Sequence, residues 1–205
     1  MSSIGAFKLA AKPSFAAGEP VEIPVTASYF MGKSLSNARL RWVADTEDET
    51  FAPAGFDDFS FGTDRYSYHE DTPTHSAMTL QGETAFDTTG KLTLAPDVPL
   101  NPVFPQPRRV NLSVEVTDAN QQTISEEATF VRHASDFYLG ALQSSRVNQA
   151  GRPIPVEIVA VNADGTAHME PVPVQLRLKK IDYETVRVEG AGSRWSPKGA
   201  AYSAS

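Results

Sequence analysis

Cysteine is absent from the 205-residue sequence, which excludes disulfide staples, a thiolate nucleophile and zinc–thiolate centres. No apolar run approaches the ~20 residues that a membrane-crossing helix needs. Basic residues are scarce, 18 against 25 acids for a formal charge of −7, which argues against broad contact with a phosphate backbone. The opening Met1-Ser2-Ser3-Ile4 lacks the charged and apolar regions of a secretory leader. Sustained helical periods with start and stop signals are missing as well. What is present is a globular balance, 40% hydrophobic and 21% charged, too apolar for a disordered chain.

Period-two alternation fills the space that helices leave. Val21, Ile23, Val25, Ala27 and Tyr29 share one face, and Ala38, Leu40 and Trp42 another. Val110 to Val116 and Val172 to Leu178 alternate in the same way. One apolar and one polar face is the signature of antiparallel sheets lying on a core. Thr88-Thr89-Gly90 and Asp118-Ala119-Asn120 read as hairpin turns, and Pro20 and Pro24 suit an edge or a strand beginning. The fold class is all-β, built of antiparallel β-sandwiches.

The sequence also repeats itself. Ala17-Gly18-Glu19-Pro20-Val21 returns as Ala150-Gly151-Arg152-Pro153-Ile154, an offset of 133 residues. Each copy continues into an alternating strand and then a Gly-containing turn, at Met31-Gly32-Lys33-Ser34 and Asn162-Ala163-Asp164-Gly165. The division expected is a sandwich over 1–134 and a partial second one over 135–205, with strands at Phe137–Leu142, Pro153–Val161 and Val172–Ile181. A half-sandwich leaves an apolar sheet face without a partner, so this reads as a fragment of a larger protein, with a loop-like tail over 190–205.

Residues 44–75 form a long acidic-aromatic loop without sustained alternation, far beyond the ~4–6 residues of ordinary connections. From Asp45 to Asp71 there are nine acids and one base, and six of the 19 aromatic residues lie there. The order of segments around this loop carries a resemblance. Phe7-Lys8-Leu9-Ala10, Ala17-Gly18-Glu19-Pro20-Val21, Ala38-Arg39-Leu40-Arg41-Trp42 and Phe51-Ala52-Pro53-Ala54-Gly55-Phe56-Asp57-Asp58-Phe59-Ser60-Phe61-Gly62 resemble macroglobulin-like domains in the N-terminal half of bacterial alpha-2-macroglobulins. Val114 to Thr123 resembles the penultimate hairpin of such a domain, and Phe137-Tyr138-Leu139-Gly140 the opening of the next. The resemblance implies a scaffold of a protease trap that encloses its attacker after a bait region is cut, often binding it through a Cys-Gln thioester. This chain has no Cys, so it carries no thioester. Family resemblance also implies a periplasmic or cell-envelope protein, often a lipoprotein, whose partners are other domains of the parent chain and, through the parent, the trapped protease.

Catalytic and metal constellations are weighed and set aside. His69 and His75 are six apart with Pro73 between them, whereas His-Glu-x-x-His needs one helical turn. His133 and His168 read as isolated surface histidines. Asp57 and Asp58 adjoin on an extended chain and so point apart, unlike the two acids of a glycosidase. Calcium-loop spacing, a Gly-x-Ser-x-Gly elbow and Gly-x-Gly-x-x-Gly are absent, and Gly32-Lys33-Ser34 lacks the upstream glycine of a P-loop. Arg108-Arg109 and Lys179-Lys180 read as solvated strand faces. No enzyme activity, cofactor or metal is therefore expected.

The alternative is a carbohydrate- or protein-binding sandwich module of a surface adhesin. Its interaction loop would be Phe56, Asp57, Asp58, Phe59, Phe61, Tyr66 and Tyr68, because such partners need an exposed aromatic platform. On the scaffold reading, Phe51, Phe56, Phe59 and Phe61 instead pack against their own sandwich.

Overall fold

The computed structural model describes residues 4–36, 38–62, 77–100, 105–145, 147–149 and 151–177. Residues 1–169 make one compact unit and 170–205 another. The described elements are all strands: β1 (Ile4–Leu9), β2 (Ser14–Phe15), β3 (Ile23–Tyr29), β4 (Arg39–Asp48), β5 (Ser60–Phe61), β6 (Met78–Ala85), β7 (Lys91–Leu94), β8 (Arg108–Thr117), β9 (Thr123–Arg132), β10 (Phe137–Gln143) and β11 (Val156–Asn162). No helix among these residues is long and apolar enough to cross a membrane.

Three sheets result, ordered β1-β3-β7, β2-β9-β8-β4-β6 and β11-β10-β5. The first two share a core of Phe7, Phe15, Val25, Leu40, Leu112, Val114, Val116, Phe130 and their neighbours. Alternation decides which residues enter it. In β8 the even-numbered residues from Arg108 to Val116 are buried, and Arg109, Asn111, Ser113 and Glu115 are exposed. Each large apolar side chain so buried contributes roughly 1.5–3 kcal/mol. The turns come from residues that satisfy backbone locally. Gly90 (φ 75°) closes the β6–β7 turn, while Asp87 Oδ1 accepts hydrogen bonds from the Thr89 and Lys91 amides at 2.8 and 2.9 Å. In the β8–β9 turn Asp118 Oδ1 accepts from the Asn120 and Gln122 amides, both at 2.8 Å. The left-handed residue there is Gln121 (φ 64°), not an Asn or Asp.

The strand β4 outlasts its apolar pattern. Beyond Ala44 its inward residues are Thr46 and Asp48, and the Asp48 carboxylate accepts from the buried Arg108 guanidinium at 2.8 Å. An ion pair thus replaces hydrophobic alternation, and the loop starts at residue 49 rather than 44. Arg108 is 2% exposed, not part of a solvated face, because Asp48 neutralises it inside the sheet.

The repeat is written into the backbone. Gly18 and Gly151 both have positive φ, at 74° and 78°, and each sits in a turn closed by a hydrogen bond, Glu19 to Ala16 and Arg152 to Gln149. Downstream, Tyr29 N–H donates to Lys33 O as Asn162 N–H does to Thr166 O, both at 2.8 Å. Leu35 N–H donates to Ala27 O as His168 N–H does to Ala160 O. Every such pair keeps the 133-residue offset seen in the sequence. The strand β11 begins at Val156, three residues later than expected, since Pro153 and Pro155 lack the donor a ladder needs.

In the second unit, residues 170–177 carry no strand. The strand expected at Val172–Ile181 is therefore missing over 172–177, and its remainder, like the 190–205 tail, lies outside the described residues. Pro171 and Pro173 remove donors, and alternation alone supplies faces but no partner ladder. Leu176 is 68% exposed.

Candidate interaction loop

The loop after β4 folds back onto β10 and β11. Pro53 is buried beneath two successive turns, in which Phe56 N–H donates to Pro53 O at 3.3 Å and Phe59 N–H to Phe56 O at 3.0 Å. The chain then enters β5, which pairs antiparallel with β10 in the register Gly140↔Phe61 and Ala141↔Ser60. A Cβ on Gly140 would lie 2.7 Å from the Phe61 ring, so only glycine lets the ring lie flat over β10.

Phe51, Phe61, Tyr138 and Val161 form a second core, with Phe56, Phe59, Val159 and Ala163 packed against it. Phe51 stacks on Tyr138 at 4.3 Å and meets Phe61 edge-on at 5.3 Å. Phe56 meets Phe59 and Phe61 edge-on at 6.1 and 6.5 Å. These offset and T-shaped contacts suit the ring quadrupoles. Burial pushes the Tyr138 phenol up, with the Ala134 and Ser135 amides opposing it.

His133 is not a surface residue. It is 7% exposed, its amide donates to Phe15 O at 2.9 Å, and its Nδ1 lies 3.3 Å from the Tyr138 hydroxyl. The β9–β10 connection runs through the aromatic core, and that path buries the ring. His168 is half-buried and stacks on Phe137 at 4.5 Å.

Of the residues expected to form an interaction loop, Phe61 is buried, Phe56 and Phe59 are half-buried, and Asp57 and Asp58 are exposed at the turn between them. Tyr66 and Tyr68 lie outside the described residues. Phe51, Phe56, Phe59 and Phe61 do pack on their own chain, but against β10 and β11 rather than in the core shared by the β1-β3-β7 and β2-β9-β8-β4-β6 sheets. Sequence reasoning missed Tyr138, Val159 and Val161 as their partners. A signal existed: Val159 and Val161 stand one repeat after Thr26 and Ser28, so β11 is apolar on both faces where β3 is not. The opposite face of the hairpin, with Leu139 40% and Val156 42% exposed, corresponds to the buried face of Phe7 and Ile23 in the first copy.

Among the described residues no group of three or more His, Asp or Glu side chains could hold a metal ion. A hollow of about 520 Å³ lies beside Tyr29, Arg39, Glu115 and Asp118. Arg39 there is committed to Glu83 at 3.0 Å.

No family model matches the chain. An alpha-2-macroglobulin homolog of Nostoc sp. is 26% identical over 176 residues, which are 85% of this chain and 9% of that protein. A Salmonella alpha-2-macroglobulin mutant superposes with a TM-score of 0.51 at 15% identity, over 97% of this chain and 14% of its own. Trypsin-activated alpha-2-macroglobulin from Escherichia coli gives 0.50 at 11% identity over the same shares. The chain spans 9% to 14% of the length of these relatives. The repeated strand–turn pattern and the all-strand architecture thus accompany a similarity to segments of bacterial alpha-2-macroglobulins, with whose solved structures the chain shares its fold.

Proposed function

We propose that this chain is a non-enzymatic scaffold segment of a protease-trapping alpha-2-macroglobulin of the cell envelope. It would consist of one macroglobulin-like sandwich over 1–134 and part of a second over 135–205. Its partners would be other domains of the parent protein and, through the parent, the captured protease. The observation that carries the reading is the aromatic loop. Phe51 and Phe61 are spent on Tyr138 and Val161 of the same chain, which is how a wall element fixes the angle between consecutive repeats. A sugar- or protein-binding platform would leave those rings to solvent.

The test is a protease-protection assay on the full-length parent, with Phe51→Ala and Phe61→Ala introduced together. Weakened retention of a bound protease, with no protease inhibition by residues 1–205 alone, is the expected result. Undiminished trapping by the double variant, or glycan binding by residues 1–205 that the double variant abolishes, would overturn it.

A further inference from the structure

We propose that His133 is a proton-operated catch, whose protonation releases the aromatic clasp holding the β10–β11 hairpin against the end of the first sandwich. The proposal rests on the hydrogen count at one buried oxygen. The Ala134 amide donates to the Tyr138 hydroxyl at 3.0 Å. That hydroxyl has one proton of its own, and His133 Nδ1, 3.3 Å away, is the acceptor positioned to take it. With the Ala134 and Ser135 amides both directed at the two lone pairs of that oxygen, no lone pair is left for a third donor, and the contact is met by an unprotonated Nδ1. Tyr138 in turn is the floor on which Phe51 stacks at 4.3 Å, and Phe51 meets Phe61 of β5 edge-on at 5.3 Å. One protonation therefore touches every part of the clasp.

Adding a proton to Nδ1 leaves the Tyr138 hydroxyl, with two lone pairs, facing three N–H donors, those of Ala134, Ser135 and His133, and deprives its own hydrogen of an acceptor. It also places a charge beside the Phe51 ring, 6.3 Å from that of His133, where solvation is poor. A destination for the charged ring exists. Glu49, at the end of β4, engages Arg109 through Oε1, while its Oε2 is buried without a hydrogen-bond partner among the described residues. Two neighbours thus favour opposite states of the imidazole: the Tyr138 hydroxyl the neutral one, through its hydrogen bond, and the Glu49 carboxylate the charged one, through its charge.

The remaining charges nearby do not reverse this preference. Arg108 is matched by Asp48 at 2.8 Å, Arg132 turns its guanidinium to the Val98 carbonyl, and Asp136 lies in the β9–β10 connection, its carbonyl bonded to the Ala163 amide. Burial pushes the His133 imidazole below the ordinary histidine value, and the pull of Glu49 in the other direction is the smaller effect. A histidine depressed in the closed state stabilises the clasp fully above the ordinary value of about 6.5, and that stability is lost as the pH falls through and below it.

Hydrogen exchange of residues 1–205, read as protection factors corrected for intrinsic rates, tests the catch between about pH 8 and about pH 5. Protection at the amides of Ser60, Phe61, Gly140 and Ala141 is expected to fall several-fold on acidification, while that of β4 and β8 holds. His133→Gln should abolish the pH dependence, His168→Gln should keep it, and Glu49→Gln should move its midpoint to lower pH. Should His133→Gln fail to fold, an NMR titration of the His133 ring in the unmodified chain decides. A midpoint below that of His168 supports the catch; one at or above it overturns it. Equal loss of protection in His133→Gln, loss shared by β4 and β8, or no loss at all would also overturn it.

Discussion

At the scale of single residues, two positions carry more than their size suggests. Gly140 is glycine because Phe61 occupies the space where a Cβ would stand, 2.7 Å from the ring. Gly140→Ala should destabilise the β5–β10 contact by about 1–3 kcal/mol, the usual cost of overpacking. Denaturant unfolding of Gly140→Ala, Phe61→Leu and the double variant checks this, since relief of the clash predicts a favourable coupling between the two. Arg108 and Asp48 are 2% and 10% exposed on their side chains. Removing the carboxylate takes the counter-charge from a buried guanidinium, so Asp48→Ala should lose up to about 3–5 kcal/mol. Arg108→Met with Asp48→Leu should recover most of that. Both residues are plain in the sequence, yet neither role is, because a glycine opposite a phenylalanine and an arginine opposite an aspartate become neighbours only through strand register.

At the scale of elements, the β10–β11 hairpin has two apolar faces with different fates. Tyr138, Gly140, Val159 and Val161 lie under the loop, and Leu139, Val156 and Ile158 face away from it. Val161 is fully buried, and Val161→Ser should forfeit about 1.5–3 kcal/mol of burial. Leu139→Gln, at a position already 40% exposed, should change stability by under about 0.5 kcal/mol. Thermal melts of the two variants distinguish the faces; equal losses would mean that the hairpin is clasped from the wrong side. Strand identities were legible wherever inward residues were apolar. The end of β4 was not, because Thr46 and Asp48 keep the period while losing the hydrophobicity.

At the scale of the whole molecule, stability should be tied to acid-sensitive turns. Asp87 is held below the usual carboxylate range chiefly by the Lys91 amide, and Asp164 chiefly by the Thr166 hydroxyl. A depressed carboxylate contributes stability that is complete above its ordinary value and lost as the pH falls below about 4. The melting temperature should therefore drop on acidification below about pH 4, with a shallower slope in Asp87→Asn and Asp164→Asn. This window lies below the one assigned to His133, so the clasp should loosen before the sandwich does. Limited proteolysis near pH 5 should accordingly cut within 49–62 while β8 and β9 stay intact.

The alternating strands of the first copy, the hairpin turns and the 133-residue repeat are legible in the sequence, since each follows from periodicity and local backbone chemistry within a few residues, whereas the end of β4 and the absence of a strand over 172–177 are not. The sequence also foretold that the aromatic loop would be buried, because rings of that number are costly to leave in water. Tertiary structure alone decided where. The loop chose the outward face of the second hairpin, through β5 register on β10, a glycine that admits Phe61 and a tyrosine that receives Phe51. Those contacts join residues about 80 apart in the chain, and long-range pairing is fixed by the fit of two surfaces, which no local pattern encodes.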